Sequence, residues 1–481
     1  MRRSIFYLTK VLPALLLCLL FTSSSCDDEL DVEPQTAINA GEALTTSQGV
    51  QSALVGAYVR LMSGTLYVGD PDAPLYTGDL NLTSELLGST GNLIWGGTFS
   101  TFRQVFQKDI TPDNILIAGI WLRSYEVINI VNNVINAVNV VEEDQRDQVL
   151  GEAHFIRGMV YFDLVRLFGL PYEPGQQNSQ LGVPLVLQPT SLISEANNVP
   201  RNTVEEVYAQ VIDDLTRARD LLPDRASFNE SSGDEARANT YAASALLARV
   251  YLQQAGAPGN SAEAQYLTKA AEEANRVIQG GGYDLVEDFT NAFNNNENTS
   301  EDIFAIQQTV QSNAGQSNAG LATFYSYNQR AEIEVAAGFV EQYEEGDERV
   351  EVLYLDPDDL YRNGKYEIYS ANVPLIRLAE MYLIRAEANQ RLGTSVGATP
   401  LEDINVIRER ADIPPLTSIS LDDVLRERSL ELAFEGQLIH DIKRLRQNVG
   451  DLPYNAGELV LPIPLREMNA NPRLQQNDAY I

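Results

Sequence analysis

Apolar residues recur every three to four positions through most of the chain, which is the spacing of helices that bury one face. This pattern predicts helices over residues 47–60, 120–141, 144–168 and 203–222. Thr203 and Glu206 have the spacing of a capping box, which marks the start of the last helix. The chain is therefore predicted to have an all-α fold.

Two helix pairs are predicted in the second half of the chain. Residues 236–254 and 262–279 are rich in alanine, and small side chains let two helices pack closely, as in a tetratricopeptide-type hairpin. Residues 373–391 and 401–411 form the second predicted pair. The body is thus expected to contain degenerate helical repeats rather than a strict array.

Irregular segments separate these helices. Residues 62–99 and 280–369 lack helical spacing, and segments of this length often carry function. Residues 182–186 are typical of a short strand or hairpin edge. Residues 454–481 contain several prolines and are expected to form an ordered tail over the body.

One stretch, residues 422–445, combines burial with charge. Its apolar residues surround most of a helix, yet Glu427, Glu431 and Glu435 follow one another at i, i+4 and i+8. Carboxylates in a packed helix are costly unless they are paired. Two interpretations are open: acids with perturbed pKa values used in chemistry, or a buried charge network that fixes the fold. The second assigns to this network Asp163, Arg166, Arg426, Glu427, Arg428, Glu431 and Glu435.

The amino terminus has the layout of a bacterial export signal. Basic residues precede an apolar run and small residues precede Cys26, so residues 1–25 are predicted to be a signal peptide. Cys26 is the predicted lipidation site, although Ser23 departs from the leucine usual three positions before such a cysteine. Residues 26–45 form a predicted acidic tether. The alternative is ordinary secretion with a free Cys26.

Composition narrows the classes of function. A net charge of -33 disfavours nucleic acid and anionic membrane surfaces as partners. With two cysteines, two histidines and no phosphate-binding loop or nucleophile elbow, neither a metal nor a cofactor is expected. A glycoside hydrolase needs only two carboxylates, so the 67 acidic residues leave that class open. The acidic line in residues 422–445 lies beside arginines, which favours binding over catalysis.

Seven motifs, in order through nearly the whole chain, resemble those of one family. They include SCDDELDVEP at residues 25–34, EAHFIRGMVYFDLVRLFG at residues 152–169, RANTYAASALLARVYL at residues 237–252, and RERSLELAFEGQLIHDIKRL at residues 426–445. On these motifs the chain resembles the SusD/RagB family of Bacteroidetes outer-membrane lipoproteins. The acidic residues after Cys26 resemble the surface-export signal of such lipoproteins.

The resemblance implies a single domain over residues 46–481, with halves at about 46–223 and 236–481. It implies an α-helical body with tetratricopeptide-like hairpins and long irregular ligand-binding loops. The implied function is capture of an oligosaccharide at the surface of the outer membrane and its delivery to a SusC-like TonB-dependent transporter. Capture of a peptide, as by a RagB-type lipoprotein, is the alternative. A surface glycoside hydrolase and a lid without its own ligand are the other classes considered.

Family motifs do not include the ligand contacts, so these are predicted from chemistry. A sugar site needs flat aromatic faces for C–H surfaces and polar side chains for hydroxyls. Residues 67–95 and 313–330 offer that mixture; the alternative for each aromatic is loop packing. The predicted contacts are Tyr67, Tyr76, Trp95, Asn318, Tyr325, Tyr327 and Gln329. Residues 422–445 belong to the shared motifs instead, which favours the charge-network interpretation.

Overall fold

The computed structural model describes residues 44–62, 74–190, 198–227, 236–260, 262–317 and 319–481. Cys26, Tyr67 and Asn318 lie outside these residues, as do the predicted signal peptide and nearly all of the tether. The described part of the first half forms helices α1 (Ser47–Met62), α2 (Leu80–Gly88), α3 (Ser100–Gln107), α4 (Ile115–Ala137), α5 (Arg146–Phe168) and α6 (Val204–Leu221). A π-helical turn, Leu75–Asp79, leads directly into α2.

The described part of the second half adds helices and short strands. The helices are α7 (Thr240–Ala255), α8 (Glu263–Gly280), α9 (Leu321–Tyr325), α10 (Ala337–Val340), α11 (Leu378–Leu392), α12 (Pro400–Arg410), α13 (Leu421–Glu431), α14 (Leu438–Arg444) and α15 (Leu465–Ala470). The strands, counted from the first half, are β1 (Leu93–Trp95), β2 (Asp302–Ile306), β3 (Ile333–Val335), β4 (Leu353–Leu355), β5 (Tyr361–Asn363) and β6 (Val373–Arg377). The fold is mostly helical, as the apolar spacing predicts.

The long helices pack in a continuous series. Helix α5 lies between α4 and α6, α7 packs against α6 and α8, and α11 packs against both α8 and α12. The alanines that predict close packing are fully buried, among them Ala242 and Ala245 on α7 and Ala270 and Ala274 on α8. Small side chains thus let α7 and α8 approach closely. The predicted capping box at Thr203 and Glu206 is formed at the start of α6.

Helix α4 and its continuation, Ile115–Val140, are long and apolar enough to cross a membrane. Most of this apolar surface is buried, since α4 packs against α1 and α5. A core helix needs the same composition as a membrane span, and burial here accounts for it. No other described helix has this combination of length and hydropathy.

Two small sheets organise the irregular segment of the second half. One has the strand order β1-β3-β5-β4, and the other pairs β2 with β6. Strand β1 comes from the first half, where Leu93 pairs with Val335 and Trp95 with Ile333. The strand predicted over residues 182–186 is wrong in extent: only an isolated bridge between Leu181 and Thr203 forms. The sheets therefore connect the irregular segments of both halves.

The carboxyl-terminal tail lies over the helices of the first half. Leu461 donates its backbone N–H to the carbonyl of Leu167 at 2.8 Å, and Leu465 does so to Pro112 at 2.8 Å. Asn477 donates its side-chain amide to the carbonyl of Phe168 at 3.1 Å. The predicted ordered tail is confirmed.

The single helix predicted over residues 422–445 is wrong. Helix α13 ends at Glu431, and Phe434 and Gly436 have positive φ values of 67° and 79° before α14 begins. A Cβ on Gly436 would also lie 3.1 Å from the Cα of Asn81, so glycine suits both the turn and the close packing. Glu435 therefore lies in a turn, out of line with Glu427 and Glu431. Apolar spacing continues through the turn, which is why the sequence pattern does not reveal it.

Candidate ligand-binding site

Three of the predicted ligand contacts are buried. Trp95 packs between Phe102 and Phe324, with ring centroids 5.3 and 5.8 Å away. Tyr325 is fully buried against Tyr366, at 5.6 Å between centroids. Covered rings offer no face to a sugar in this structure, so packing is the role that the geometry favours for both.

Tyr76 is also buried, in the π-helical turn before α2. Its hydroxyl donates to Asp163 Oδ2 at 2.7 Å, and Asp163 forms an ion pair with Arg166. The residues expected to form an open loop here are therefore helical and held against α5. The geometry assigns Tyr76 to the core of the body rather than to a ligand.

Tyr327 and Gln329 are exposed, and they follow α9 in a tight turn. The backbone N–H of Gln329 donates to the carbonyl of Ser326 at 3.1 Å, and that of Arg330 donates to Thr323 at 3.0 Å. Tyr327 is 40% exposed, although it is an aromatic residue. A fixed turn that presents an aromatic ring to solvent is a typical element of a carbohydrate-binding surface.

Glu367 holds this turn to the neighbouring sheet. Its Oε2 accepts a hydrogen bond from the Ser326 hydroxyl at 2.6 Å and another from the Asn328 amide at 3.3 Å. Its Oε1 accepts from the Tyr354 hydroxyl at 2.6 Å. Tyr354 Oη in turn accepts from the backbone N–H of Tyr327 at 3.2 Å. Burial, together with the hydrogen bond to Glu367, raises the pKa of Tyr354 to about 12, so this hydroxyl keeps its proton at neutral pH.

The same loop exposes a second aromatic ring. Tyr369 is 39% exposed and lies two residues after Glu367. Asn294 fixes the start of this loop, because its Oδ1 accepts from the backbone N–H groups of Glu367 and Ile368 at 2.7 and 3.1 Å. We define the ligand face as Tyr327, Asn328, Gln329, Tyr354, Glu367 and Tyr369.

Sequence analysis missed Tyr354, Glu367 and Tyr369 as members of this face. The contacts of Tyr354 and Glu367 to the turn at Ser326 span 27 and 41 residues of sequence, and no local pattern records such a distance. Tyr369 joins the face only through its exposed position two residues after Glu367. The one available signal is the density of tyrosines between residues 354 and 369. Chemically, the ligand face combines flat rings with carboxylate and amide groups, which suits reversible binding of a hydroxyl-rich ligand.

The glutamates of residues 422–445 lie in a buried charge network. Five cations meet five carboxylates there, and the network comprises Arg349, Lys365, Arg377, Arg408, Arg410, Glu301, Asp347, Glu427, Glu431 and Glu435. Nine of these residues are buried, and Glu435 is nearly so. The rings of Phe289 and Phe293 lie against three of the cations, Lys365, Arg377 and Arg410. The charges of these ten residues therefore balance, and at the edge of the network Arg408 also binds the partly exposed Glu344 at 2.8 Å.

Glu431 lies at the centre of this network. Its Oε1 accepts from Arg410 at 2.5 Å and from Arg377 at 3.1 Å, and its Oε2 lies 3.6 Å from Arg349 Nη1. Burial alone would raise the pKa of Glu431, but the charges of Arg410, Arg377 and Arg349 outweigh it and hold that pKa well below its usual range. Glu431 is thus a permanent anion, which does not suit a proton-transfer role.

The arginines of α13 do not pair with its glutamates, contrary to the expectation from sequence. Arg428 instead binds Asp441 at 2.9 Å and Glu380 at 3.5 Å, while Arg426 is half exposed and lies 3.5 Å from Glu344. An arginine and a glutamate on the same helix face could pair only if both side chains stayed on that face, which would not bury both. The glutamates take partners from β6, α12 and the loops before them because those elements approach the buried side of α13.

Comparison with known proteins identifies the family. The family of starch-binding proteins associating with the outer membrane, SusD-like, matches residues 75–252. The SusD family profile matches residues 280–458. The chain belongs to the SusD family. SusD family proteins are binding proteins without catalytic activity, so this chain is not an enzyme.

Individual SusD relatives align with almost the whole of this chain. SusD-like protein P2 of Formosa agariphila is 26% identical and covers 96% of this chain and 97% of its own length. The structure of a proposed sugar-binding protein of Bacteroides vulgatus is 27% identical, with a TM-score of 0.75, and covers 93% of this chain and all of its own. Surface glycan-binding protein A of Bacteroides uniformis shares the fold. It is 22% identical, with a TM-score of 0.71, and covers 90% of this chain and 99% of its own.

Proposed function

We propose that this SusD-family chain captures an oligosaccharide at the cell surface and delivers it to a SusC-like TonB-dependent transporter. The observation that carries the proposal is membership of the family whose first-half profile is that of starch-binding proteins associating with the outer membrane. A relative of similar length, 27% identical, is itself proposed to bind sugar. The helical body supplies a rigid support, and the irregular segment supplies the ligand face.

The ligand face supports an oligosaccharide as the ligand. Tyr327 and Tyr369 can cover the apolar face of sugar rings, and Glu367, Asn328 and Gln329 can meet hydroxyl groups. Rings held by a fixed turn lose little freedom on binding, which favours affinity. Tyr67 and Asn318 stay predicted contacts from the sequence.

We infer anchoring to the outer membrane from the amino terminus. Cys26 is the proposed lipid-modified residue, and the acidic residues after it form the proposed surface tether. Several acyl chains hold a protein stably, whereas one chain binds only marginally. With a net charge of -33, the chain gains nothing from anionic lipids, so lipid modification carries the anchoring.

Isothermal titration against a panel of oligosaccharides and peptides tests the ligand class. We expect binding to at least one oligosaccharide, with Tyr327→Ala and Tyr369→Ala each weakening it about 5- to 150-fold, as loss of ~1–3 kcal/mol of stacking implies. Binding only to peptides would favour the RagB-type alternative. Release of products from the glycan on long incubation would contradict the assignment as a binding protein.

Affinity purification from the outer membrane tests the transporter. A tagged chain is expected to retain a TonB-dependent barrel in mild detergent. Recovery of the chain alone, under conditions that preserve membrane complexes, would contradict delivery to a transporter.

A further inference from the structure

A cleft of about 670 Å³ opens beside the break between α13 and α14. The loop after α2, helix α10 and the two helices themselves form its walls. This volume falls in the ~300–1,000 Å³ range typical of small-molecule sites. None of the residues of the ligand face lines this cleft.

A buried arginine on the cleft wall has an unused donor. Arg428 is almost fully buried and pairs through its other nitrogens with Asp441 and Glu380, yet its Nη1 has no hydrogen-bond partner among the described residues. Leaving a charged donor unpaired in the interior is costly. Since this atom is covered by protein, Arg428 is a fixed part of the cleft wall and does not itself mark a ligand contact.

Glu85 lines the cleft and holds the helix break in place. Its Oε1 accepts from the backbone N–H groups of Gly436 at 2.8 Å and Leu438 at 3.4 Å. Gly88 lets α2 approach so closely, since a Cβ there would lie 2.8 Å from the backbone nitrogen of Ile439. The cleft is therefore built from fixed elements rather than from a mobile loop.

The remaining lining mixes apolar surface with amides. Phe339, Leu432 and Leu438 contribute apolar atoms, while Gln342, Gln447 and Asn448 are exposed amides at the rim. Apolar walls suit the C–H surface of a sugar, and amides suit its hydroxyls.

The charges around the cleft favour a neutral ligand. Arg428 and Arg444 are both paired with Asp441, and Arg444 also binds Glu387 at 2.6 Å. These carboxylates offset the two guanidinium groups. The other charged groups that line the cleft are the basic Arg426 and the acidic Glu85 and Asp422, so no excess positive charge is left to attract an anion. The overall charge of the chain, -33, adds a long-range repulsion of anions.

We propose that this cleft is a second carbohydrate site, which takes a short neutral oligosaccharide. The proposal rests on the proposed function for its ligand class, but it places that ligand at the opposite end of the β1–β3 ladder from the ligand face. Asn92 and Gly338 line the cleft next to the Leu93–Val335 pair, whereas Trp95 and Ile333 lie toward the turn at Tyr327. Two sites on one rigid body would raise retention of a long glycan through effective concentration.

Hydrogen exchange with a panel of neutral di- to tetrasaccharides tests this second site. Gly338 lines the cleft, and a Cβ there would meet no atom within 4 Å, so Gly338→Trp should fill the cleft without disturbing the body. Gly56→Trp is the matched control, since Gly56 also lies in a helix with free space at its Cβ and away from the cleft.

We expect at least one saccharide to slow exchange in residues 425–448 of the native chain and of Gly56→Trp. In Gly338→Trp, the apparent affinity measured from this protection should fall at least 10-fold, while the protection of residues 326–330 by the saccharide stays unchanged. Tyr327→Ala should show the reverse pattern, so failure of either site is recognised separately. Protection of residues 326–330 alone, protection at the cleft that survives Gly338→Trp, or no protection by any probe would overturn the second site.

Discussion

Replacing Glu431 by glutamine perturbs the buried charge network at its centre. Glutamine keeps the shape and one acceptor oxygen but removes the charge, so five cations then face four carboxylates. Each arginine that loses its partner at about 4 Å forfeits roughly 4 kcal/mol of attraction at an effective dielectric constant of about 20. Relief of the desolvation of Glu431 offsets part of this loss. Breaking a buried pair from one side typically costs ~3–5 kcal/mol, and we expect Glu431→Gln to fall in that range.

Urea unfolding of the native chain and of Glu431→Gln measures this difference. A loss of ~3–5 kcal/mol is a large share of the ~5–15 kcal/mol that stabilises typical domains. Arg426→Ala is the matched control, because Arg426 lies on the same helix but is half exposed, and such pairs contribute about 1 kcal/mol or less. Ligand affinity of the folded Glu431→Gln protein should be unchanged.

A charge-balanced double variant separates charge from packing. Arg410→Met with Glu431→Leu removes one cation and one carboxylate, so the remaining charges balance again. We expect this double variant to recover at least half of the stability that Glu431→Gln loses. A loss below about 1 kcal/mol in Glu431→Gln, or a double variant no more stable than the single one, would refute the assignment of the network as a balanced interior.

The pH dependence of the same comparison has a definite sign. The pKa of Glu431 is held well below its usual range in the folded chain, so its charge stabilises the fold above the unfolded-state pKa of ~4.3. That contribution is lost as the pH falls below this value. The stability gap between the native chain and Glu431→Gln should therefore be constant from pH 6 to 8 and narrow in stronger acid.

Three further predictions concern other parts of the chain. Tyr325→Ala removes a buried ring and should lower the free energy of unfolding in urea by ~3–5 kcal/mol. Tyr327→Ala should lower retention in glycan affinity electrophoresis with stability nearly intact. The opposite result for the two variants would contradict the ligand face. Burial raises the pKa of Glu85 to about 7, so its ionisation destabilises the fold as the pH rises from ~4.5 to 7. The free energy of unfolding of Glu85→Gln, relative to that of the native chain, should therefore rise by up to ~3 kcal/mol between pH 5 and pH 8. The same stability difference at both pH values would refute this. Cys26→Ala should move the protein to the soluble fraction on cell fractionation, and membrane retention in cells lacking the transporter would contradict lipid anchoring.

Local spacing predicted the elements whose signals are local. The capping box at Thr203 and the alanine-rich faces of α7 and α8 need only neighbours along the chain, and the structure places them as expected. The turn at Gly436 escaped prediction because apolar residues continue through it and its backbone donors are satisfied by Glu85, about 350 residues away.

The ligand face was predictable only in part, for a related reason. Exposure of Tyr327 and burial of Tyr325, two residues apart, depend on which side of α9 faces Tyr366 and Phe434. Trp95 lies in a segment rich in glycine and polar residues, yet β1 pairs with β3 and carries it into an aromatic cluster. The burial of Trp95 depends on pairing between strands that are far apart along the chain. A single sequence does not reveal which strands pair.

The buried charge network also sets the order in which the chain can mature. Its members come from residues 301 to 435. Arg349 and Arg377 already have Asp347 and Glu301 as partners from the same part of the chain. Their remaining ion pairs, and the pair between Lys365 and Glu435, form only when α13 and the turn after it have been made. A chain synthesised from its amino terminus can complete the helical series of its first half early. The segment that carries Glu367 and Tyr369 must wait, since Lys365 beside it is held by Glu435. Chains that lack the last helices are therefore expected to leave Lys365 without its carboxylate and this segment unfinished.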